Sequence, residues 1–234
     1  MKQSSPAEYE ELTRHHYQNT AVAKKYHDEY TGPWTVKTLP ARLVAIRERR
    51  IVDRAMVDLV KRKSLPIRKV LDLPCGTGKL ATVFARHQFE VTAADISREM
   101  MDIAELEYRK ISGFARLAQA DAASTGFEAA EFDAVVCLRL LHRVPDSVRQ
   151  AILTELSRIS RKYVVLSAGV TDQVQELRRA FRQRITGAST VPYPVTKAVL
   201  TSQLSTAGLR PLRWIPVLRV LSSEWILICE KQER

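Results

Sequence analysis

The sequence predicts a doubly wound α/β fold, with a mostly parallel seven-stranded sheet, an antiparallel last strand pair and an N-terminal helical cap. From residue 68 onward, short apolar strands alternate with amphipathic helices. The strands are apolar on both faces, which is typical of parallel strands buried between two helical layers. The last two predicted strands, 211–219 and 223–230, are joined by a short turn, which requires an antiparallel pair.

The elements after residue 68 follow from local patterns. Apolar runs predict strands at 70–73, 90–94, 115–118, 133–138 and 163–167, with helices over 79–87, from Ser97 to about 108, and from Asp146 to about 159. Ser97 and Asp146 are predicted helix N-caps. Thr196 is predicted to cap a later helix that stops at Gly208, a residue suited to the position after a helix end.

The first 65 residues are highly charged and contain no convincing strand. Residues 41–62 carry apolar side chains at helical spacing, with arginines on the opposite face. We therefore expect a helical cap at 1–65 and a ligand-binding domain at 66–234. A further helix around 174–185 exposes an arginine face that includes Arg178 and Arg182.

Composition narrows the class of protein. The net charge of +11 favours anionic ligands but does not choose among nucleic acid, a membrane surface and a small acid. The three cysteines contain no CxxC pair, which predicts reduced thiols and no disulfide or metal site. The N-terminus lacks the apolar core of a signal peptide, and no apolar run approaches the roughly 18–20 residues of a membrane span. These features predict a cytoplasmic protein.

A glycine-rich turn follows the first strand. Gly76-x-Gly78-x-x-Ala81 fits the dinucleotide fingerprint, which by itself is a weak signal. Such a turn lets a ligand approach the backbone and the N–H groups of the helix that follows.

Carboxylates at three consecutive strand ends decide the cofactor. Asp72, four residues before Gly76, would repel a pyrophosphate and attract an ammonium group. Asp95 ends the second strand and is placed to accept hydrogen bonds from two ribose hydroxyls. Asp121 follows the third strand and is placed to accept one from an adenine amine, with Ala122 beside it. Ligands bind at this edge of such sheets, so the pattern favours a nucleoside that bears an amino acid.

Four motifs in residues 68–142 resemble the class I S-adenosylmethionine (SAM)-dependent methyltransferases of the small-molecule type, with their Rossmann-like fold. The matching segments are VLDLPCGTG at 70–78, VTAADISREM at 91–100, AQADA at 118–122 and FDAVVCLRLLHRVPD at 132–146. The segment YQNTAVAKKY at 17–26 is similar to the family's lead helix. The resemblance implies SAM as cofactor, S-adenosylhomocysteine (SAH) as product, and these contacts: Tyr17, Tyr26, Asp72, Pro74, Cys75, Gly76, Thr77, Gly78, Asp95, Ile96, Met100, Asp121, Ala122 and Leu138.

Two features of these motifs bear on chemistry. Pro74 stands where the family more often has glycine, so one backbone N–H contact should be lost. The fourth motif lacks the Asn/Asp-Pro-Pro-aromatic signature of methyltransferases that act on adenine or glutamine amines, which argues against base methylation. His142 follows the fourth strand and is the candidate general base if the acceptor is a hydroxyl, although a structural or cofactor-contacting role explains it as well.

The acceptor is predicted from the variable segments. Arg178 and Arg182 are candidates to bind phosphate or carboxylate, and Tyr193 to form an aromatic wall, with a solvated face and ordinary packing as the alternatives. We expect methyl transfer to a small-molecule or lipid- or glycan-linked acceptor, of acidic character. A SAM-binding regulatory protein that engages a partner protein is the alternative. An RNA methyltransferase is a third, against which stands the lack of any added RNA-binding motif.

Overall fold

The structure is a computed structural model, which describes residues 21, 23–24, 27–28, 39–62, 66–171, 193–218 and 222–232. Within these residues the predicted doubly wound α/β fold is confirmed. The elements are α1 (Leu39–Lys61), β1 (Lys69–Asp72), α2 (Ala81–Phe84), β2 (Glu90–Asp95), α3 (Arg98–Tyr108), β3 (Phe114–Gln119), β4 (Phe132–Cys137), a 3-10 helix (Leu141–Arg143), α4 (Asp146–Ile159), β5 (Ser160–Thr171), β6 (Val195–Thr196), α5 (Lys197–Thr206), β7 (Leu209–Pro216) and β8 (Glu224–Lys231).

The sheet has the order β3-β2-β1-β4-β5-β8-β7, and the two-residue strand β6 pairs with β5 off this path. The β3–β2, β2–β1, β1–β4 and β4–β5 pairs are parallel. The β5–β8 and β7–β8 pairs are antiparallel, as the short connection near residue 220 predicts. The strand order reverses between β1 and β4, and this switch point opens a crevice at the carboxyl ends of the strands.

Helices cover both faces of the sheet. One apolar cluster joins α1, α2 and α3 to one face, and a second joins α4 and α5 to the other. Helix α1 buries Ile51, Val52, Ala55, Met56 and Leu59 in the first cluster. Helix α1, which belongs to the predicted cap, thus packs on the sheet in the same way as the other helices do. The domain boundary after residue 65 stays a prediction, because residues 63–65 lie outside the described residues.

Capping follows the predictions in two places and departs in one. The hydroxyls of Ser97 and Thr196 accept from the N–H groups three residues on, and Gly208 ends α5 with a φ of +72°. Asp146 does not cap α4: Pro145 occupies the N-cap position, and the Asp146 carboxylate pairs with Arg149 one turn later. An arginine at that spacing gives the carboxylate a charged partner in place of backbone N–H groups.

The helix after the glycine turn is shorter than the predicted 79–87. Only Ala81–Phe84 is α-helical. At its two ends the backbone makes tighter turns, in which the Val83 N–H donates to the Leu80 carbonyl and the His87 N–H to the Phe84 carbonyl, each three residues back.

The cysteines are free and buried. Among the described residues, no helix combines the length and apolar character needed to cross a membrane.

Candidate functional site

A cavity of about 430 Å³ opens at the carboxyl ends of the central strands. Its lining comes from the segments that follow β1, β2, β3 and β4, with one wall from α1 and another from α4. This is the switch-point crevice, where open parallel sheets bind ligands. Most of the residues predicted for the cofactor meet here: Asp72, Pro74, Cys75, Gly76, Thr77, Asp95, Ile96, Met100, Asp121, Ala122 and Leu138.

Three of these residues form what we call the carboxylate row: Asp72, Asp95 and Asp121, at or just after the ends of β1, β2 and β3. The strands are adjacent in the order β3-β2-β1, so the three carboxylates are arranged along one rim of the cavity. The row gives this rim a concentration of hydrogen-bond acceptors and negative charge, which suits a ligand with hydroxyl and ammonium groups.

Asp95 fastens the glycine turn to β2. One carboxylate oxygen accepts from the Gly76 N–H at 2.8 Å and the other from the Ser97 N–H at 3.0 Å. Burial raises the pKa of Asp95, and the hydrogen bonds from Ser97, Gly76 and Ile96 oppose that rise. A carboxylate has about four lone-pair sites, so Asp95 can still accept from a ligand hydroxyl beside these three N–H groups.

Asp72 is buried at the end of β1 and accepts a hydrogen bond from the Tyr108 hydroxyl on α3. Burial raises the pKa of Asp72 to about 7; the Tyr108 hydrogen bond lowers it and the negative charge of Asp95 raises it. A carboxyl group with this pKa changes charge near neutrality, and a cation bound beside it would favour the ionised form.

The remaining polar groups of this rim come from Asp121 and Thr77. The Asp121 carboxylate accepts from the Ala123 N–H at 2.9 Å, which orders the turn after β3. The Thr77 hydroxyl is buried in the lining, and none of the described residues forms a hydrogen bond with it. A buried hydroxyl in this state is costly unless a ligand or water pairs with it.

The two glycines of the turn have different roles. Gly76 has a φ of +53° and lines the cavity, where a Cβ on this residue would meet nothing within 4 Å. Gly78 has a φ of +79°, and a Cβ there would lie 3.2 Å from the backbone of Ala104 and 3.0 Å from the Glu107 Cβ. Gly78 is absent from the cavity lining and instead lets the turn pack against α3.

The structure does not place His142 with the cofactor residues. It lies in the 3-10 helix after β4, is 8% exposed and is not part of the cavity lining. Burial lowers its pKa, which the negative charge of Glu224 opposes. The predicted substrate residue Tyr193 also lies off the lining and donates its backbone N–H to the His142 carbonyl at 3.1 Å. Predicted residues Tyr17, Tyr26, Arg178 and Arg182 lie outside the described residues.

The sequence interpretation missed a group of charged lining residues: Glu48 and Arg49 on α1, Lys79 after the glycine turn, and Arg139 and Arg143 after β4. A signal for Glu48 was present, because it lies four residues from both Val44 and Val52 on the apolar face of α1. A glutamate on such a face is buried only with a compensating neighbour or a shifted pKa.

Four residues form what we call the buried polar cluster: Glu48, Arg139, Ser167 and Glu224. Arg139 Nη1 lies 3.6 Å from Glu48 Oε2. The Arg139 N–H donates to Ser167 Oγ at 2.7 Å, and the Ser167 hydroxyl donates to Glu224 Oε1 at 2.8 Å. Arg139 has a φ of +60°, a strained value for a non-glycine residue that these contacts hold in place.

Burial raises the pKa of Glu48 to about 8, and the negative charge of Glu224 adds to the rise; Arg139 and Lys79 oppose it. A hydrogen bond between the Glu48 and Glu224 side chains also raises this pKa, so Glu48 keeps its proton to a higher pH than an ordinary glutamate. Glu48 Oε1 is buried, and no described residue forms a hydrogen bond with that atom. One wall of the cavity thus carries a carboxyl group of raised pKa next to a guanidinium group.

Residues 70–162 match a family model described as a methyltransferase domain. The chloroplastic magnesium protoporphyrin IX methyltransferase of Arabidopsis thaliana is 26% identical over 152 residues, which are 65% of this chain and 47% of that protein. The ubiquinone biosynthesis O-methyltransferase of Alkalilimnicola ehrlichii is 38% identical over 88 residues, 34% of this chain and 32% of that protein. The chain therefore matches about half the length of the first relative and a third of the second.

The fold is shared with a solved structure, the magnesium protoporphyrin IX methyltransferase of Synechocystis PCC 6803 with bound SAH. The TM-score is 0.78 at 19% identity, and the superposition covers 95% of this chain and 100% of that chain. At this identity, the likeness establishes the common fold alone.

Proposed function

We propose that this chain, which belongs to the class I SAM-dependent methyltransferase family, binds SAM in the cavity and transfers its methyl group to a small-molecule acceptor. The observation that carries the proposal is the carboxylate row, which lies beside the glycine turn on one rim of the cavity. Fold alone does not determine function, so the proposal rests on these side chains.

The residues present fit the cofactor. Asp95, already fixed by two backbone N–H groups, would accept from the ribose hydroxyls. Asp72 would face the cofactor's ammonium group, and the Thr77 hydroxyl, which forms no hydrogen bond with any described residue, offers a further polar contact nearby. Asp121 would accept from the adenine amine. Apolar surface for the base and the thioether chain comes from Ile96, Met100, Ala122 and Leu138.

The same residues argue against a dinucleotide. Asp95, and Asp72 when it is ionised, would place negative charge in the lining on either side of the glycine turn, where a pyrophosphate would lie. Repulsion between like charges in a buried site is large, because the effective dielectric constant is low.

The chain's contribution to catalysis is alignment and exclusion of water. When bound, the cofactor would supply an electrophilic methyl group on its sulfonium for transfer to the acceptor. Apolar walls for the acceptor come from Ala45 on α1 and, on the side of β4 and α4, from Leu140, Val148, Ala151 and Ile152. Such walls hold the acceptor in line and keep water out. The role of His142 as a base stays a prediction.

Calorimetric titration of the full chain with SAM, SAH and NAD⁺ tests the cofactor assignment. We expect SAM and SAH to bind and NAD⁺ to show no heat of binding. Binding of NAD⁺ alone, or of none of the three, would refute the assignment.

Transfer of a labelled methyl group from SAM into fractionated cell extract tests turnover. Label that enters an extract fraction, and does not enter when SAH is added in excess, supports an enzyme. SAM binding without any transfer would instead favour a regulatory protein that uses the same cavity.

A further inference from the structure

Helix α1 carries a row of side chains that point away from the sheet and are not part of the cavity lining, and we call this row the basic stripe. Its members follow one another at intervals of three, four or seven residues, so they lie on one face of the helix. They are Leu39, Leu43, Arg47, Arg50, Arg54 and Lys61. The stripe is about 33 Å long, at a rise of about 1.5 Å per residue.

The four cations of the stripe have no acidic partner. Among the residues that the structure describes, none of their side chains forms an ion pair or a hydrogen bond, and all but the half-buried Arg47 are exposed. The acids of α1 are engaged elsewhere. Asp53 pairs with Arg86 at 3.2 Å and Asp58 with Arg213 at 2.7 Å. Glu48 is buried on the other side of the helix.

Two leucines form the N-terminal end of the stripe. Leu39 is 40% exposed and Leu43 is 44% exposed, one helical turn apart. A row of basic residues next to exposed leucines is the combination with which interfacial helices bind anionic lipids.

We propose that the basic stripe docks the chain on an anionic lipid surface, with its four cations at the headgroups and its two leucines inserted between them. The inference goes beyond the proposed methyl transfer and does not depend on it.

The leucines favour lipid over nucleic acid as the occupant. The phosphates of RNA or DNA would also attract the four cations. Proteins that bind nucleic acid add hydrogen bonds to the bases or aromatic rings on which the bases stack. The stripe contains no aromatic side chain and no side-chain amide, whereas its leucines gain from burial in the apolar part of a lipid surface.

The leucines lie at the end of α1 that contributes to the cavity. Ala45, Glu48 and Arg49 line the cavity and follow Leu43 within two helical turns. Docking would therefore hold the cavity close to the lipid, where an acceptor dissolved in the membrane is concentrated.

Co-flotation of the full chain with vesicles tests the docking. We expect at least tenfold tighter binding to vesicles of equal parts phosphatidylglycerol and phosphatidylcholine than to phosphatidylcholine alone, since each basic residue near an anionic surface strengthens binding about fivefold. Raising the ionic strength from about 0.1 M to about 1 M shortens the screening length from about 10 Å to about 3 Å, so it should release the chain. Equal binding to both vesicles, binding to neither, or binding of an RNA duplex without binding of anionic vesicles would overturn the inference.

Paired variants assign the binding to the stripe. Arg50→Gln combined with Arg54→Gln should weaken binding to the anionic vesicles about 25-fold, at about fivefold for each charge. The matched control is Arg109→Gln combined with Lys110→Gln, which removes two exposed charges at the end of α3, over the β2–β3 edge of the sheet. An equal loss in the two double variants would show that only the net charge matters and would overturn the inference.

A fluorescent label locates the docked face without removing a charge from the stripe. The native cysteines are buried, so Leu43→Cys can be labelled selectively with a polarity-sensitive dye. Its emission should shift to the blue on anionic vesicles. Val199→Cys is the control, because Val199 is 43% exposed on α5, which packs on the opposite face of the sheet. A blue shift at position 199 alone, or at neither position while the chain still floats, would contradict docking through the stripe.

Discussion

The carboxylate row and the buried polar cluster lie in the same cavity but are assembled in different ways. The carboxylate row comes from residues 72–121, each at the end of a strand or just after it. The buried polar cluster comes from residues 48–224: Glu48 lies on α1, Arg139 is the second residue after β4, and the other two members lie on β5 and β8. Two of the row's carboxylates accept backbone N–H groups of neighbouring turns, whereas the cluster depends on contacts between side chains far apart in sequence.

This difference separates two kinds of site. A row of acids at strand ends is fixed by the topology of the sheet, so any sequence with that order of strands places the acids together. A cluster of side chains from four distant elements forms only if all the elements pack correctly. We therefore expect the first site to bind the common cofactor and the second to determine what is particular to this chain. Five predictions follow from this picture of the two sites.

Asp95→Ala should weaken SAH binding by about 100-fold, since hydrogen bonds to a charged group contribute about 1.5–3 kcal/mol each. The matched control is Asp133→Ala. Asp133 is also buried and accepts two backbone N–H groups, from Arg68 and Lys69, but at the amino ends of the strands. Both variants should lose stability in a denaturant titration, and only Asp95→Ala should lose affinity by calorimetry. Wild-type affinity in Asp95→Ala would rule out its ribose contact.

Gly78→Ala should lower the free energy of unfolding by about 2–3 kcal/mol, through backbone strain of about 1–2 kcal/mol and overpacking against Ala104. Gly126→Ala isolates the strain, because Gly126 has a φ of +76° and nothing within 4 Å of a Cβ. It should lose only about 1–2 kcal/mol. Urea denaturation measures both variants. Equal losses would show that close packing of the glycine turn on α3 contributes nothing.

Asp72 should make SAM affinity depend on pH. Its pKa of about 7 means that the carboxyl group is largely protonated at pH 6 and ionised at pH 8. Because the cofactor's ammonium group favours the ionised form, affinity should rise roughly tenfold over that interval. Calorimetry at the two pH values measures the rise, and Asp72→Asn should remove it. A rise that persists in Asp72→Asn belongs to another group.

The same raised pKa has the opposite effect on the stability of the ligand-free protein. The folded state retains the Asp72 proton to higher pH than the unfolded state, whose pKa lies near the ordinary value of 3.8. This contribution to stability is therefore present below about pH 4 and is lost as the pH rises to about 7. Denaturant titrations across this range should show a smaller decline in Asp72→Asn than in the wild type.

Ser167→Ala should cost about 1–3 kcal/mol of stability, because it leaves the Arg139 N–H without its acceptor. SAH affinity should stay within about twofold of wild type, because Ser167 is not part of the cavity lining. Ser160→Ala is the control, since Ser160 is equally buried on β5 but donates to Ser157 away from the cavity. A large loss of SAH affinity in Ser167→Ala would break the division between the two sites.

The sequence is sufficient to predict the elements and the carboxylate row. Alternating apolar runs determine the strands, and the strand-end positions of Asp72, Asp95 and Asp121 alone predict that they lie together. Ser97 and Thr196 are recognisable as N-caps because capping depends on residues three positions apart. These patterns depend on residues that are close in sequence, so tertiary packing does not change the structure that they predict.

What the sequence does not predict depends on tertiary packing. The motif assigns Gly78 to the cofactor, but the proximity of Ala104 gives it a packing role that no spacing reveals. The expected cap at Asp146 is wrong because Arg149 competes for its carboxylate. The position of Glu48 on an apolar helix face signals a buried carboxyl group but does not identify its neighbour, since only the fold shows that Arg139 lies beside it.

The division between the two sites is tested most directly by the crystal structure of the full chain with SAH. We expect the ribose hydroxyls within hydrogen-bond distance of Asp95, the adenine amine at Asp121 and the amino group at Asp72, with Glu48 and Arg139 left in contact with each other and with no part of SAH. A ligand that contacts Glu48 or Arg139 and leaves Asp95 unoccupied would contradict the account.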